Sequence, residues 1–263
     1  MLIEEYRLKE DEDMFLPKVK VELINPEDNI RFIGNWLAKD TQKNKTRPFY
    51  EKTITLYPEL RDIDQVSDAA ERKAMIRRAV TSRLDENREV IEKRMAYFSE
   101  RFDSFLYEFI GACCRLFNYE WKAEHPFITC YTGYLPFYPR STTEMCFYVS
   151  YHDEERVFSG AVHEINHMIF FQKWNETHGG GIKEPAWPDP LWYLEEIIVD
   201  PTLNEENVRK HTLYENKAYP LFYEPDETGE SVMDRIRKLF DSRTSIEDFL
   251  EKAYAAVCLE YKG

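Results

Sequence analysis

The sequence predicts an α+β fold that is mostly helical, on three observations. Glycine is scarce (9 of 263 residues) while charged residues make up 32% of the chain, a balance that favours helices over an all-β architecture. Across residues 66–118, apolar side chains return at helical spacing. Two short segments, 126–133 and 143–151, alternate instead and are rich in β-branched and aromatic residues. The 43% hydrophobic content supports a sizeable core, in one large domain or two small ones.

Residues 19–24 alternate and predict a short strand. Asn25-Pro26-Glu27-Asp28 opens a helix over 29–38, and the polar run 40–47 is a connector. In the long helical block, Ser67-Asp68 precedes acidic residues and reads as a cap. Ala70, Met75, Ile76, Val80 and Leu84 form one apolar stripe, which Val90, Ile91, Met95, Phe98, Phe102, Phe105 and Phe109 continue. A break near Asp85-Glu86-Asn87 makes this two helices or one kinked helix, and its aromatic stripe reads as core. Residues 133–141, with two prolines, join the two predicted strands, and 175–189, with three glycines and two prolines, is a loop. Further helices are expected over 190–200, 204–217, 230–240 and 245–261. Residues 1–118 thus form a helical N-terminal portion and 119–263 carry the candidate chemistry and the C-terminal helices, as one compact unit without repeats or low-complexity linkers.

A net charge of −14 argues against nucleic acid and against anionic membrane surfaces as partners. The acidic N-terminus lacks the features of a signal peptide, and no run of about 18 apolar residues predicts a membrane span. Five cysteines, an odd number without C-x-x-C spacing, read as reduced thiols in a cytoplasmic protein.

The chemistry concentrates in 158–171, FSGAVHEINHMIFF, which holds an H-E-x-x-H pattern. On a helix, His163 and His167 share a face and can share one tetrahedral zinc. Glu164 lies beside the first histidine, placed to take a proton from water on the metal. Lys173 stands where the longer metzincin pattern puts a third histidine. The next histidine, His178, falls in a loop and is a candidate fourth contact or hydrogen-bond donor. The helix over 190–200, stopped by Pro201, offers Glu195 and Glu196 as third ligand. Asp200 shares a face with Glu196 and is placed to accept the free N–H of a ligating histidine.

HEINH followed by LEEIIVD resembles the gluzincin zinc metallopeptidases, the thermolysin-like clan, over residues 157–202. The resemblance implies a zincin-like catalytic core, with a small sheet before the HExxH helix and a sheet edge, here 145–151, bordering the cleft. It implies zinc held by His163, His167 and Glu196, with Glu164 as general base and Asp200 behind the first histidine. Ile197 stands where many gluzincins have Gly or Ala, which leaves Glu195 open as the ligand. Beyond the ligand glutamate, gluzincins often carry a Tyr or His that donates to the oxyanion. His211 and Tyr214 are the candidates here, with Tyr219 and Tyr223 competing. The implied activity is hydrolysis of peptide bonds in a peptide or protein substrate. The alternative is a zinc-binding regulatory or interaction protein without general peptidase activity.

Overall fold

A four-stranded mixed sheet stands between two apolar layers in the computed structural model, which describes residues 14–39, 47–212 and 215–261. Strands β1 (Lys18–Leu23), β2 (Phe127–Gly133), β3 (Arg140–Ser141) and β4 (Cys146–Ser150) lie in the order β1-β2-β4-β3. The first two pairings are parallel, and only β3 runs antiparallel, with Arg140 opposite Phe147. The expected edge over 145–151 is therefore corrected: β4 has a neighbour on each side, and the edges are β1 and β3, the latter inside the proline-bearing connector. All five residues of β4 are buried, so its aromatic and β-branched side chains serve two packed faces.

The helices are α1 (Pro26–Lys39), α2 (Pro48–Leu56), α3 (Ala69–Glu86), α4 (Arg88–Asp103), α5 (Leu106–Leu116), α6 (Glu154–Thr177), α7 (Pro190–Ile197), α8 (Val199–Leu203), α9 (Glu206–Thr212), α10 (Val232–Asp241) and α11 (Ile246–Glu260). The block expected as two helices is three. Asp68 caps α3 by accepting from the Glu71 N–H, and the chain breaks at Asn87 and again at Ser104-Phe105. The second break is silent in the sequence because Phe102, Leu106 and Phe109 keep helical spacing across it. Among the described residues of the helix expected over 204–217, Glu206–Thr212 is helical and 215–219 is irregular.

Alternation along β4 sends Phe147 and Val149 to one layer and Cys146 and Tyr148 to the other. The first layer holds Phe98, Phe102 and Phe109 with the inner face of α6; the second holds Ile33 and Trp36 of α1 with Val80 and Leu84 of α3. α6 is the central helix, capped by Asp153 and buried along most of its 24 residues. Its Lys173 is only 5% exposed and is satisfied by the Asn118 carbonyl at 2.9 Å and Glu247 of α11 at 2.6 Å. A buried cation needs such partners, which explains a lysine on the buried face of this helix. Among the described residues no helix is long and apolar enough to cross a membrane.

α1 is fastened to the sheet through Asn29, which is fully buried. Its amide donates to the Tyr134 carbonyl and accepts from the Tyr134 N–H, and the Tyr57 hydroxyl donates to the same carbonyl at 2.7 Å. Gly133 permits this approach: a Cβ there would lie 2.8 Å from both Asn29 Oδ1 and Ile24 Cγ2. Gly133→Ala is expected to destabilise the protein by about 1–3 kcal/mol through overpacking. Urea unfolding checks this; an unchanged midpoint would mean that the contact relaxes at no cost.

Candidate metal centre

One turn of α6 separates His163 from His167, and their Nε2 atoms lie 2.8 Å apart. Glu196 of α7 brings Oε2 to 3.5 Å from His163 Nε2 and 3.6 Å from His167 Nε2. A tetrahedral zinc with bonds of about 2.0–2.1 Å holds its ligand atoms roughly 3.3 Å from one another, so the three atoms are near ligand spacing. Glu196 Oε2 is buried without a hydrogen-bond partner, a carboxylate oxygen that a cation at this point would satisfy. Among the described residues these three form the cluster able to hold a metal ion. His167 and Glu196 are buried, whereas the His163 side chain is 31% exposed and leaves the group open on one side.

Consecutive residues on a helix diverge by about 100°, which separates the two glutamates. Glu196 meets the Nε2 atoms, while Glu195 lies behind His167, with Oε1 3.7 Å from Nδ1. The carboxylate beside the far nitrogen of a histidine is thus Glu195. Asp200 is placed elsewhere. Its carboxylate accepts from Arg237 Nε and Nη2, both at 2.8 Å, and from the Tyr223 hydroxyl at 2.7 Å, tying α8 to α10. The cause lies at Pro201. Lacking an N–H and crowding the Ile197 carbonyl, it interrupts the helix at Ile198, one turn upstream, and sits inside α8 rather than after it. The interruption divides the segment into α7, which carries Glu196, and α8, which carries Asp200. Asn166 of α6 donates to the Thr202 hydroxyl at 3.2 Å and holds this offset in place.

The other candidates separate from the cluster. His178 ends α6, roughly 16 Å along the axis from His167. There it stacks on Trp174 and pairs with Glu251. His211 lines a different cavity with Phe105, Glu108 and Lys210. Tyr214 lies outside the described residues. Tyr223 is engaged by Asp200, and Tyr219 lines the cavity of about 450 Å³ onto which His163, Glu164 and Glu196 open. Phe137, Tyr138 and Arg156 form another part of its wall. Gly160, one turn before the histidines, admits Tyr138: a Cβ there would stand 2.6 Å from the ring. A larger groove of about 650 Å³ between α1 and α3 contains none of these residues.

Arg140 escapes sequence reasoning. A lone arginine in a proline-bearing connector has no signature, and pairing of β3 with β4 is what aims it inward. Nη1 reaches Glu164 Oε2 at 3.0 Å, Nη2 reaches Glu195 Oε1 at 2.7 Å, and Nε reaches Glu184 Oε1 at 2.8 Å. Burial works against its charge, but Glu195, Glu164, Glu184 and Glu196 outweigh it and hold the guanidinium charged. Burial pushes Glu195 up to about 8 and raises Glu164, in both cases against the pull of Arg140. Burial also opposes the charged form of Glu196, but the two imidazoles hold its carboxyl well below the usual range. Four carboxylates around one guanidinium leave an excess of negative charge, which favours a multivalent cation at the histidines.

No family model, curated protein or solved structure matches this chain. The relocation of Asp200 is open to a direct check. Asp200→Asn is expected to cost about 1.5–3 kcal/mol, the range for hydrogen bonds to charged groups. The ring resonances of His163 and His167 should stay in place; a shift at either ring would return Asp200 to the histidines.

Proposed function

We propose that the protein is a zinc-dependent peptidase of the gluzincin kind, built on a zincin-like core in which the HExxH helix is α6 and the third ligand comes from α7. One observation carries the proposal: two imidazole nitrogens and a carboxylate oxygen converge within ligand spacing, with Glu164 beside them on a cavity wall. His163, His167 and Glu196 would hold the ion. When bound, zinc supplies a Lewis acid that polarises a carbonyl and makes water nucleophilic near neutral pH.

The chain's own residues supply the rest. Glu164 takes a proton from the attacking water at its carboxylate and returns it to the departing amine nitrogen. The partial burial of His163 leaves one side for water and substrate, while His167 and Glu196 are shielded. Glu195 is the group near His167 Nδ1, the position from which a carboxylate orients a ligating imidazole. Tyr219 is the phenol on the cavity wall and serves as donor to the oxyanion, a role worth several kcal/mol where geometry is preset.

The second reading is a zinc-holding protein that recognises a partner without general peptidase activity. The contact of Arg140 with Glu164 favours it, because the guanidinium occupies one oxygen of the carboxylate that a general base would turn toward water.

Elemental analysis of the purified chain should find one zinc, lost in His163→Ala, His167→Ala and Glu196→Ala. It should be retained in Glu195→Ala with about 10–100-fold weaker affinity, the usual effect of removing an outer partner. A chain that takes up no zinc ends the proposal. For the base, Glu164→Gln should keep its zinc and lose turnover of a broad peptide library by about 10²–10⁴-fold. Wild-type turnover in that zinc-loaded variant would remove Glu164 from the role. Silence of zinc-loaded wild type on the library would favour the second reading.

A further inference from the structure

Arg140 touches the histidine helix through Glu164, the Glu196 helix through Glu195, and the loop between these helices through Glu184. We infer that Arg140 is a positioning residue that couples the seating of loop 178–189 on the sheet edge to the placement of Glu164 and, through Glu195, of His167. The inference rests on the peptidase reading for its consequence in turnover, but the coupling itself is a property of the chain.

The geometry is that of a three-way fork. Nη1 donates to Glu164, Nη2 and Nε lie at ion-pair distance from Glu195 and Glu184, and the group is planar and rigid, so three segments meet at one guanidinium. Displacing one carboxylate therefore turns the other two contacts. The side chain of Arg140 is 12% exposed and that of Glu195 is fully buried, so neither can exchange its partner for bulk water without cost.

The loop is the one arm of the three that is not part of a helix. Gly179, Gly180 and Gly181 all have φ near +80°, and a Cβ on any of them would meet nothing within 4 Å. Side-chain space around these glycines is open, while Asn175 at the end of α6 accepts from the Gly180 and Ile182 N–H groups. Beyond the glycines, Glu184 fastens the loop: Oε2 accepts from the Thr142 N–H at 3.1 Å and hydroxyl at 2.8 Å, while Oε1 faces Arg140. When Glu184 leaves, Thr142 loses its acceptor and Arg140 keeps only Glu164 and Glu195. Glu195 Oε1 lies 3.7 Å from His167 Nδ1, a buried nitrogen without a hydrogen-bond partner, so the shift changes the nearest charge to the ring that offers Nε2 to the metal.

The test uses the full chain in three variants, Glu184→Gln, Arg140→Gln and Arg140→Lys. The readouts are amide hydrogen exchange over 178–189, zinc affinity by competition with a chromophoric chelator, and kcat and KM on a library peptide that the wild type cleaves. Glu184→Gln, which touches no proposed ligand, should speed exchange in the loop. It should lower kcat about tenfold at constant KM, less than the 10²-fold that a misplacement of about 1 Å can cost. Arg140→Gln should lower kcat about 100-fold and weaken zinc about tenfold, within the range for outer partners of ligands. Arg140→Lys keeps the charge and loses the fork, so it should match Arg140→Gln; wild-type kcat in the lysine variant would show that only charge matters and overturn the inference. If the wild type binds zinc but cleaves nothing, the peptidase reading fails and the coupling is judged on the other two readouts. Arg140→Lys with wild-type zinc affinity and loop exchange then overturns it. If the wild type binds no zinc, unchanged loop exchange and an unmoved His167 resonance in Arg140→Lys do the same.

Discussion

The constraint on which the rest depends is the burial of like charge. Glu164, Glu195 and Glu196 lie within a short span of two packed helices, each almost fully removed from water. An isolated buried carboxylate is among the most costly groups a fold can hold, and it persists only with partners of opposite charge or when protonated. Arg140 answers for Glu164 and Glu195, and the imidazoles face Glu196. Everything around the cluster keeps these partners at their posts: the length of α6, the offset between α7 and α8, and the turn that delivers β3 to the edge of the sheet.

The scaffold achieves this by anchoring α6 at both ends and along its middle. Asp153 caps its start, and Asn166 meets Thr202 across to α8. Lys173 reaches Asn118 and Glu247 near its far end. The Asn166 and Lys173 anchors are polar contacts set in apolar packing, so they fix register and rotation where packing alone allows sliding. The sheet behind adds stiffness, because β4 is packed on both faces and paired on both sides.

Much of the frame was legible. The strand at 18–23, the helix from Pro26, the long central helix and the two closing helices each carry a period or a cap that local chemistry dictates. The convergence of His163 with His167 follows from helical spacing alone. The remainder was hidden for identifiable reasons. Glu195 and Glu196 differ by one step of a helix, and only the position of α6 separates them. Pro201 marks a helix end in a linear reading, yet it lies inside α8 with the interruption a turn earlier, and the partner of Asp200, Arg237, comes from a helix far along the chain. Arg140 acquires its partners through strand pairing and loop closure, neither of which a period can reveal.

The two outer strands of the sheet differ in a way that bears on how the protein behaves in a crowd. β3 is two residues long and is followed by Thr142, held by Glu184, so little open backbone remains on that side. β1, at the other edge, is six residues of KVKVEL with Lys18, Lys20 and Glu22 in alternation, and Lys20 lies over the Phe127 ring. A strand from a neighbouring molecule seeking to extend the sheet there meets a row of charge, a common natural defence against edge-to-edge aggregation. Among the described residues, the sheet thus ends in one edge that is nearly absent and another that is charged.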